Sequence, residues 1–240
     1  MSERNGAAGA SRDRAITIVH TSDLHIGSRW AGHGPLATLA AVLTAARETA
    51  ADVVLLAGDT FDSHRAAAPY ADAVAEAIAA SPARVVILPG NHDPATDDAV
   101  YRLLDRAAVP NLHVIGVHHE DAVMFDDLDL SVWGAPHTSY ADMSPLAGVA
   151  PRSRRWHIVV AHGHWVRGPE DHHRGWLIRD DEIDALDADY VALGHWDVPQ
   201  AAGRGLVPAY YSGSPDVARS VNLVHLSDRG IDISRHPIDL

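Results

Sequence analysis

The chain alternates short apolar runs with alanine-rich stretches of a different period. The run 15–20 (AITIVH) has the length and β-branched content of a strand. Over 36–50, Leu36, Leu39, Ala40 and Leu43 recur at i, i+3, i+4 and i+7, which predicts a helix with one apolar face. The run 52–58 (DVVLLAG) is apolar almost throughout, as a strand covered on both faces must be. A second helix is predicted over 69–80, with Pro69 near its start and Pro82 just beyond its end. A third buried strand follows over 84–90, then a third helix over 97–108 with Asp97 and Asp98 in its first turn. This order predicts an α/β protein with a parallel sheet.

The second half reads differently. Apolar runs at 111–117, 128–135, 157–163, 189–195, 207–213 and 221–227 have few helical stretches between them, which predicts a mixed sheet. Two sheets packed together with helices outside would bury all these strands. The stretch 141–155, with Pro145, Gly148, Pro151 and three Arg, reads as a surface loop. Residues 1–14 read as a flexible tail and 15–240 as one domain, which suits 240 residues. The tail lacks an apolar core of signal-peptide type, and no run reaches the ~20 apolar residues of a membrane span, so the expectation is a cytoplasmic protein away from membranes.

Composition removes whole classes of chemistry. All 19 basic residues are Arg, so a P-loop Lys, a Schiff-base Lys and a Ser/Lys pair are excluded. There is no Cys, hence no thiolate nucleophile or Cys-ligated zinc. A net charge of -13 opposes nonspecific coating of nucleic acid, because phosphate contacts need a basic surface. The 17 His are the anomaly. Many fall just after apolar runs. Asp23 and His25 follow the first run; Asp59 and Asp62 follow the second. Asn91, His92 and Asp93 follow the third, His162 and His164 the run at 157, and His195 and Asp197 the run at 189. Ligand sites of open α/β sheets lie outside the carboxyl ends of strands. Five such ends meeting at one place would assemble oxygen and imidazole ligands suited to Mn, Fe or Zn. If the backbone stays extended, Asp23 and His25 point the same way. Gly58, Gly90 and Gly194 precede the polar groups and permit close approach.

Taken in order, SDLH (22–25), GDTFD (58–62), GNHD (90–93), AHGH (161–164) and GHWD (194–197) resemble the calcineurin-like metallophosphoesterase superfamily. Within it, HTSDLHIGS (20–28), VLLAGDTFD (54–62), ILPGNHD (87–93), YVALGHWDVPQ (190–200) and AYYSGSP (209–215) are similar to the SbcD-type DNA repair exonucleases. The resemblance implies a four-layer α/β/β/α sandwich of two mixed sheets. It also implies two divalent metal ions, most simply Mn, with Fe or Zn as alternatives. Asp23, His25 and Asp59 would hold the first ion. Asp59 would bridge to the second, held also by Asn91, His162 and His195. His92 would face the substrate, with Asp93 orienting it and Asp62 behind the ligands. Two ions sharing a water would lower its pKa, so the resemblance implies a metal-bound hydroxide as nucleophile and no need of a protein one.

One position departs from the family pattern. The last motif is GHxH in the family and GHWD here, so Asp197 stands where a His ligand of the first metal belongs. A carboxylate binds the same metals and adds a negative charge. Substrate expectations divide between a phosphodiester, DNA or nucleotide, and a small-molecule phosphoester; a binding protein with a degenerate metal site is the non-catalytic alternative. Trp30, Trp165, Trp176 and Trp196 lie beside the motifs and could stack bases, or simply pack the loops. SbcD-type nucleases carry a further C-terminal DNA-capping region and contact an SMC-like ATPase partner. This chain runs only 25 residues past SGSP, which places both DNA and that partner in question.

Overall fold

The computed structural model describes residues 14–29, 32–104, 109–167 and 174–240. Most of the expected tail, Trp30 and the end of the helix predicted over 97–108 lie outside the described residues. The first sheet takes β1 (Ile16–Thr21), β2 (Val53–Ala57), β3 (Arg84–Leu88) and β4 (Leu112–Val114), all parallel. Two antiparallel strands, β13 (Ser220–Ser227) and β14 (Gly230–Pro237), extend it beyond β1. The second sheet takes β5 (Ala122–Phe125), β6 (Leu130–Gly134), β7 (Trp156–His162), β10 (Tyr190–Gly194), β11 (Gln200–Ala202) and β12 (Ala209–Tyr211). Its four inner strands β6, β7, β10 and β12 are parallel, and its edges antiparallel. A ribbon of β8 (His164–Val166) and β9 (Leu177–Arg179) stands apart.

Both sheets are covered on two faces, which is why their strands read as unbroken apolar runs. In β2, Val53, Leu55 and Ala57 face the other sheet, while Val54 and Leu56 face helices α1 (Ala37–Glu48) and α3 (Ala71–Ala79). The helix stripes Leu39, Val42, Leu43 and Val74, Ala75, Ile78 complete that outer core. In β10, Tyr190 and Ala192 enter the inter-sheet core, and Val191 and Leu193 face out. That fourth layer is thin. The short α5 (Asp180–Asp184) with Ile183, the ribbon residue Ile178, Val207 and Leu146 cover it. Leu146 is therefore buried, and the 141–155 segment expected on the surface is partly core.

The helix expected from residue 97 is also shorter. Residues 97–100 form turns instead, because the Thr96 hydroxyl donates to Asp98 Oδ1 at 2.8 Å and the Ala99 N–H bonds the Thr96 carbonyl at 3.1 Å. The described helix is α4 (Tyr101–Leu104). The chain also has α2 (His64–Ala67), capped by Ser63, and α6 (Pro215–Ala218). Among the described residues no helix is long and apolar enough to cross a membrane.

Candidate metal centre

Five strand ends on the two sheets converge. The turns after β1 and β2 are zipped by backbone bonds: Asp23 N–H to Gly58 O at 3.0 Å, His25 N–H to Asp59 O at 3.1 Å and Ile26 N–H to Thr60 O at 2.9 Å. These bonds draw Asp23 and His25 towards Asp59. The turns are not extended, contrary to the expectation for Asp23 and His25. Asp23, His25, Asp59 and His195 adopt φ of 56°, 46°, 50° and 98°, in the left-handed region that non-glycine residues rarely enter. Such backbone persists only where surrounding structure over-determines it, and it gathers at functional sites.

Two groups of ligand atoms result. One comprises His25, Asp59 and His92; the other comprises Asp59, His162 and His195. Asn91 belongs with the second, since its Oδ1 lies 3.0 Å from His162 Nε2 and 3.1 Å from His195 Nδ1. His162 Nε2 is also 3.2 Å from Asp59 Oδ2, while its Nδ1 donates to Ala57 O at 2.8 Å. The carboxylate of Asp23 accepts the His195 N–H at 3.0 Å. Asp62 stands behind His25, its Oδ1 3.8 Å from His25 Nδ1.

Charge follows from this packing. Burial would lower the His162 pKa, but Asp59, through its charge and its hydrogen bond, together with Asp23, pushes it up to about 9. Both ring nitrogens then donate. Burial likewise works to raise Asp59, yet the charge and hydrogen bond of His162, with His92, hold it well below the carboxylate range. Burial raises Asp23 to about 6, with Asp59 adding to it against His162. His195 is pushed down to about 3 by burial and the adjacent His162 charge. One positive charge is thus surrounded by two carboxylates, an amide oxygen and a neutral imidazole. These are the ligands a divalent cation takes once His162 Nε2 gives up its proton.

The glycines fit that use. A Cβ at Gly90 would stand 2.2 Å from Asp59 Oδ1, and one at Gly194 1.8 Å from Ala57 O. Neither position has room for any side chain, so the ligands close over bare backbone.

Other expected residues lie differently. Asp93 does not orient the His92 ring. Its fully buried carboxylate accepts the Phe61 N–H at 2.9 Å, the Gly90 N–H at 2.7 Å and the Tyr101 hydroxyl at 2.6 Å. Asp93 thereby ties the turns after β2 and β3 together. The His92 ring is oriented instead by the Asp62 carbonyl, 3.1 Å from Nδ1. Asp197 belongs to neither ligand group. It is exposed, and among the described residues its carboxylate has no hydrogen-bond or ion-pair partner. Its carbonyl accepts the Ser214 N–H at 3.1 Å, which anchors the SGSP segment. Asp197→Asn is accordingly expected to leave metal content and kcat/KM within about twofold, as for a surface change away from any network. Loss of a metal in that variant, by elemental analysis, would place the carboxylate in the coordination sphere.

His164 also stays outside both groups, with its ring 6.2 Å from that of His195. One residue escaped the sequence reading. His137 is wholly buried, and its Nε2 donates to the His162 carbonyl at 3.0 Å. Trp176 places its ring 5.5 Å from His137 and 5.8 Å from His195. The signal for His137 was present, since it follows the 128–135 run just as the other site histidines follow theirs.

Comparison with known proteins bears on the family and the fold. Residues 16–199 match the family described as calcineurin-like phosphoesterase. The SbcD component of the nuclease SbcCD of Bacillus subtilis (strain 168) is 25% identical over 245 residues, covering 83% of this chain and 61% of that protein. The chain therefore spans about three fifths of the length of that curated relative. Haemophilus influenzae NAD nucleotidase (NadN) superposes with a TM-score of 0.54 at 14% identity, over 94% of this chain and 50% of that one. A further crystal structure superposes with a TM-score of 0.58 at 13% identity, over 94% of this chain and all of the other. These likenesses concern the fold, and the family match runs from β1 through the last of the five strand-end motifs. The chain belongs to the calcineurin-like phosphoesterase family.

Proposed function

We propose that the chain is a metal-dependent phosphodiesterase, nuclease-like in its chemistry, with a centre for two divalent cations of the Mn type. The observation that carries this reading is that the two ligand groups share one residue, Asp59. A carboxylate with an oxygen for each group is what a bridging ligand requires. His162, His195 and Asn91 would complete one position, and His25 with Asp23 the other. Two cations there would supply Lewis acidity and a nucleophile at neutral pH.

The remaining work falls to protein groups. His92 is exposed, and its Nδ1–H donates to the Asp62 carbonyl, so Nε2 points its proton or lone pair outward. From there it can hold a proton for the departing oxygen. His92→Ala is expected to lower kcat by roughly 10²–10⁴ with metal stoichiometry intact. Because His92 also lies with His25 and Asp59, loss of a metal in that variant would make it a ligand instead.

A second reading, a small-molecule phosphatase or phosphodiesterase, is favoured by the net charge of -13, which opposes a long polyanion lying across the surface. The two relatives, a nuclease and a nucleotidase, span both readings. An SMC-like ATPase partner belongs to the nuclease reading, and the comparison supports that reading only over 61% of the SbcD protein. Chelation by EDTA is expected to abolish hydrolysis of bis-p-nitrophenyl phosphate, and Mn²⁺ to restore it with two ions per chain. Full turnover by a verified metal-free preparation would defeat the reading. Comparison with p-nitrophenyl phosphate and single-stranded DNA separates diester, monoester and strand.

A further inference from the structure

Four rings form a closed circuit around the second ligand group. Between ring centroids, Trp176 stands 5.5 Å from His137, His137 5.6 Å from His162, His162 5.2 Å from His195, and His195 5.8 Å from Trp176. All four contacts are edge-on, with planes crossing at angles from 64° to 81°. An edge set towards a face at roughly 4.5–7 Å is the favourable arrangement of aromatic pairs. Two members of the circuit, His162 and His195, are candidate ligands; His137 and Trp176 belong to neither ligand group.

The two ligands are supported differently. His162 is wholly buried, and its Nδ1 donates to Ala57 O at 2.8 Å. His195 is only partly buried, and its Nδ1 faces Asn91 Oδ1 at 3.1 Å, an atom that is itself a candidate ligand. A ligating His is ordinarily oriented by a group outside the coordination sphere. In the circuit, the ring outside the ligand groups that abuts His195 is the indole of Trp176.

Trp176 is itself fixed in place. Its φ is 55°, in the left-handed region where a bulky residue is an outlier. Its N–H donates to Asp142 Oδ1 at 2.6 Å and its Nε1–H to Ala141 O at 3.1 Å. Its carbonyl accepts the His164 N–H at 2.8 Å, where the β8–β9 ribbon leaves the turn after His162. A Cβ at Gly163 would stand 2.3 Å from the Trp176 carbonyl oxygen, so the two segments meet over bare backbone. Strained backbone persists where the surroundings over-determine it. What the strain achieves here is an indole seated against His137 and His195.

We propose that Trp176 is a positioning residue of the metal centre, closing the ring circuit so that the His195 imidazole keeps one orientation. The inference rests on the two-cation reading and adds a residue outside every strand-end motif.

The test compares Trp176→Phe, which keeps a ring at this position, with Trp176→Leu, which keeps apolar bulk without one. Calorimetric titration of the metal-free full chains with Mn²⁺ gives the affinity for each ion. Trp176→Leu is expected to bind one of the two ions about tenfold or more weakly than wild type, and Trp176→Phe to stay within about threefold for both. The split between the ions is the readout, because general damage to the fold weakens both together. Loss spread over both ions, or equal affinities in the two variants, overturns the proposal. A wild type that binds fewer than two ions defeats the two-cation reading instead, and the ring is then read in the metal-free chains by NMR with labelled His. One set of nuclear Overhauser contacts from the His195 ring to Asn91 in wild type and Trp176→Phe, averaged out in Trp176→Leu, supports the proposal. The same pattern in all three chains overturns it.

Discussion

Asp59→Asn is expected to lower kcat by about 10⁴, a loss of roughly 5.4 kcal/mol of transition-state stabilisation. It should also reduce the metal content from two ions to one or none. The reason lies in what surrounds the carboxylate. Oδ1 accepts the His92 N–H at 2.9 Å, and Oδ2 faces the His162 ring at 3.2 Å. Both neighbours are donors, so an amide NH₂ opposes one of them in either orientation. The negative charge proposed to bridge two cations is lost at the same time. Elemental analysis and turnover of bis-p-nitrophenyl phosphate measure the two effects. Two retained ions with activity within tenfold of wild type would mean that Asp59 does not bridge.

Gly58→Ala is expected to be nearly as damaging, although it removes no charge. Gly58 has φ of +88°, and a Cβ there would stand 2.0 Å from His162 Nδ1 and 2.3 Å from Cγ. The His162 ring is wholly buried and bonded to Ala57 O, so it has nowhere to retreat. We expect at least a 100-fold loss of kcat/KM with loss of the ion held by His162. The left-handed backbone adds about 1–2 kcal/mol of destabilisation. Gly148→Ala is the matched control. It has φ of +77° but open space around its Cβ, so it carries the backbone penalty without the collision. Its activity should stay within twofold. Equal loss of activity in both variants would show that backbone strain, and not displacement of His162, is responsible.

The strands of the two sheets were legible because burial on both faces leaves no polar position to interrupt the run, as in Val53–Ala57. The edge was not. In β14 only Ile231 and Ile233 pack inward, between exposed polar residues, and a period of two over so few residues is a weak signal. The three-residue β8 and β9 fall below any periodicity. At the site, residue types and order pointed to the candidate ligands that the fold brings together, because each follows a strand. Backbone shape did not show. Only glycine announces a left-handed turn in a sequence, whereas here Asp23, His25, Asp59 and His195 adopt it under tertiary constraint. The same limit misplaced Asp93, whose partners Phe61, Gly90 and Tyr101 are defined by packing between loops.

The contact between the sheets is mostly apolar, made of side chains such as Leu55, Val86, Val132 and Ile158, with one buried polar exception where His20 and Asn222 meet the Tyr190 hydroxyl. Hydrophobic burial is non-directional, and a greasy interface tolerates small sliding at little cost. Hydrogen bonds do not. His162 of β7 bonds the Ala57 carbonyl of β2, and the His195 amide after β10 bonds Asp23 after β1. These links cross from one sheet to the other at the end where the ligands lie. Together with the buried His20–Tyr190 link they hold the sandwich in alignment, so the residues proposed to handle phosphate also help set how one sheet is indexed against its neighbour.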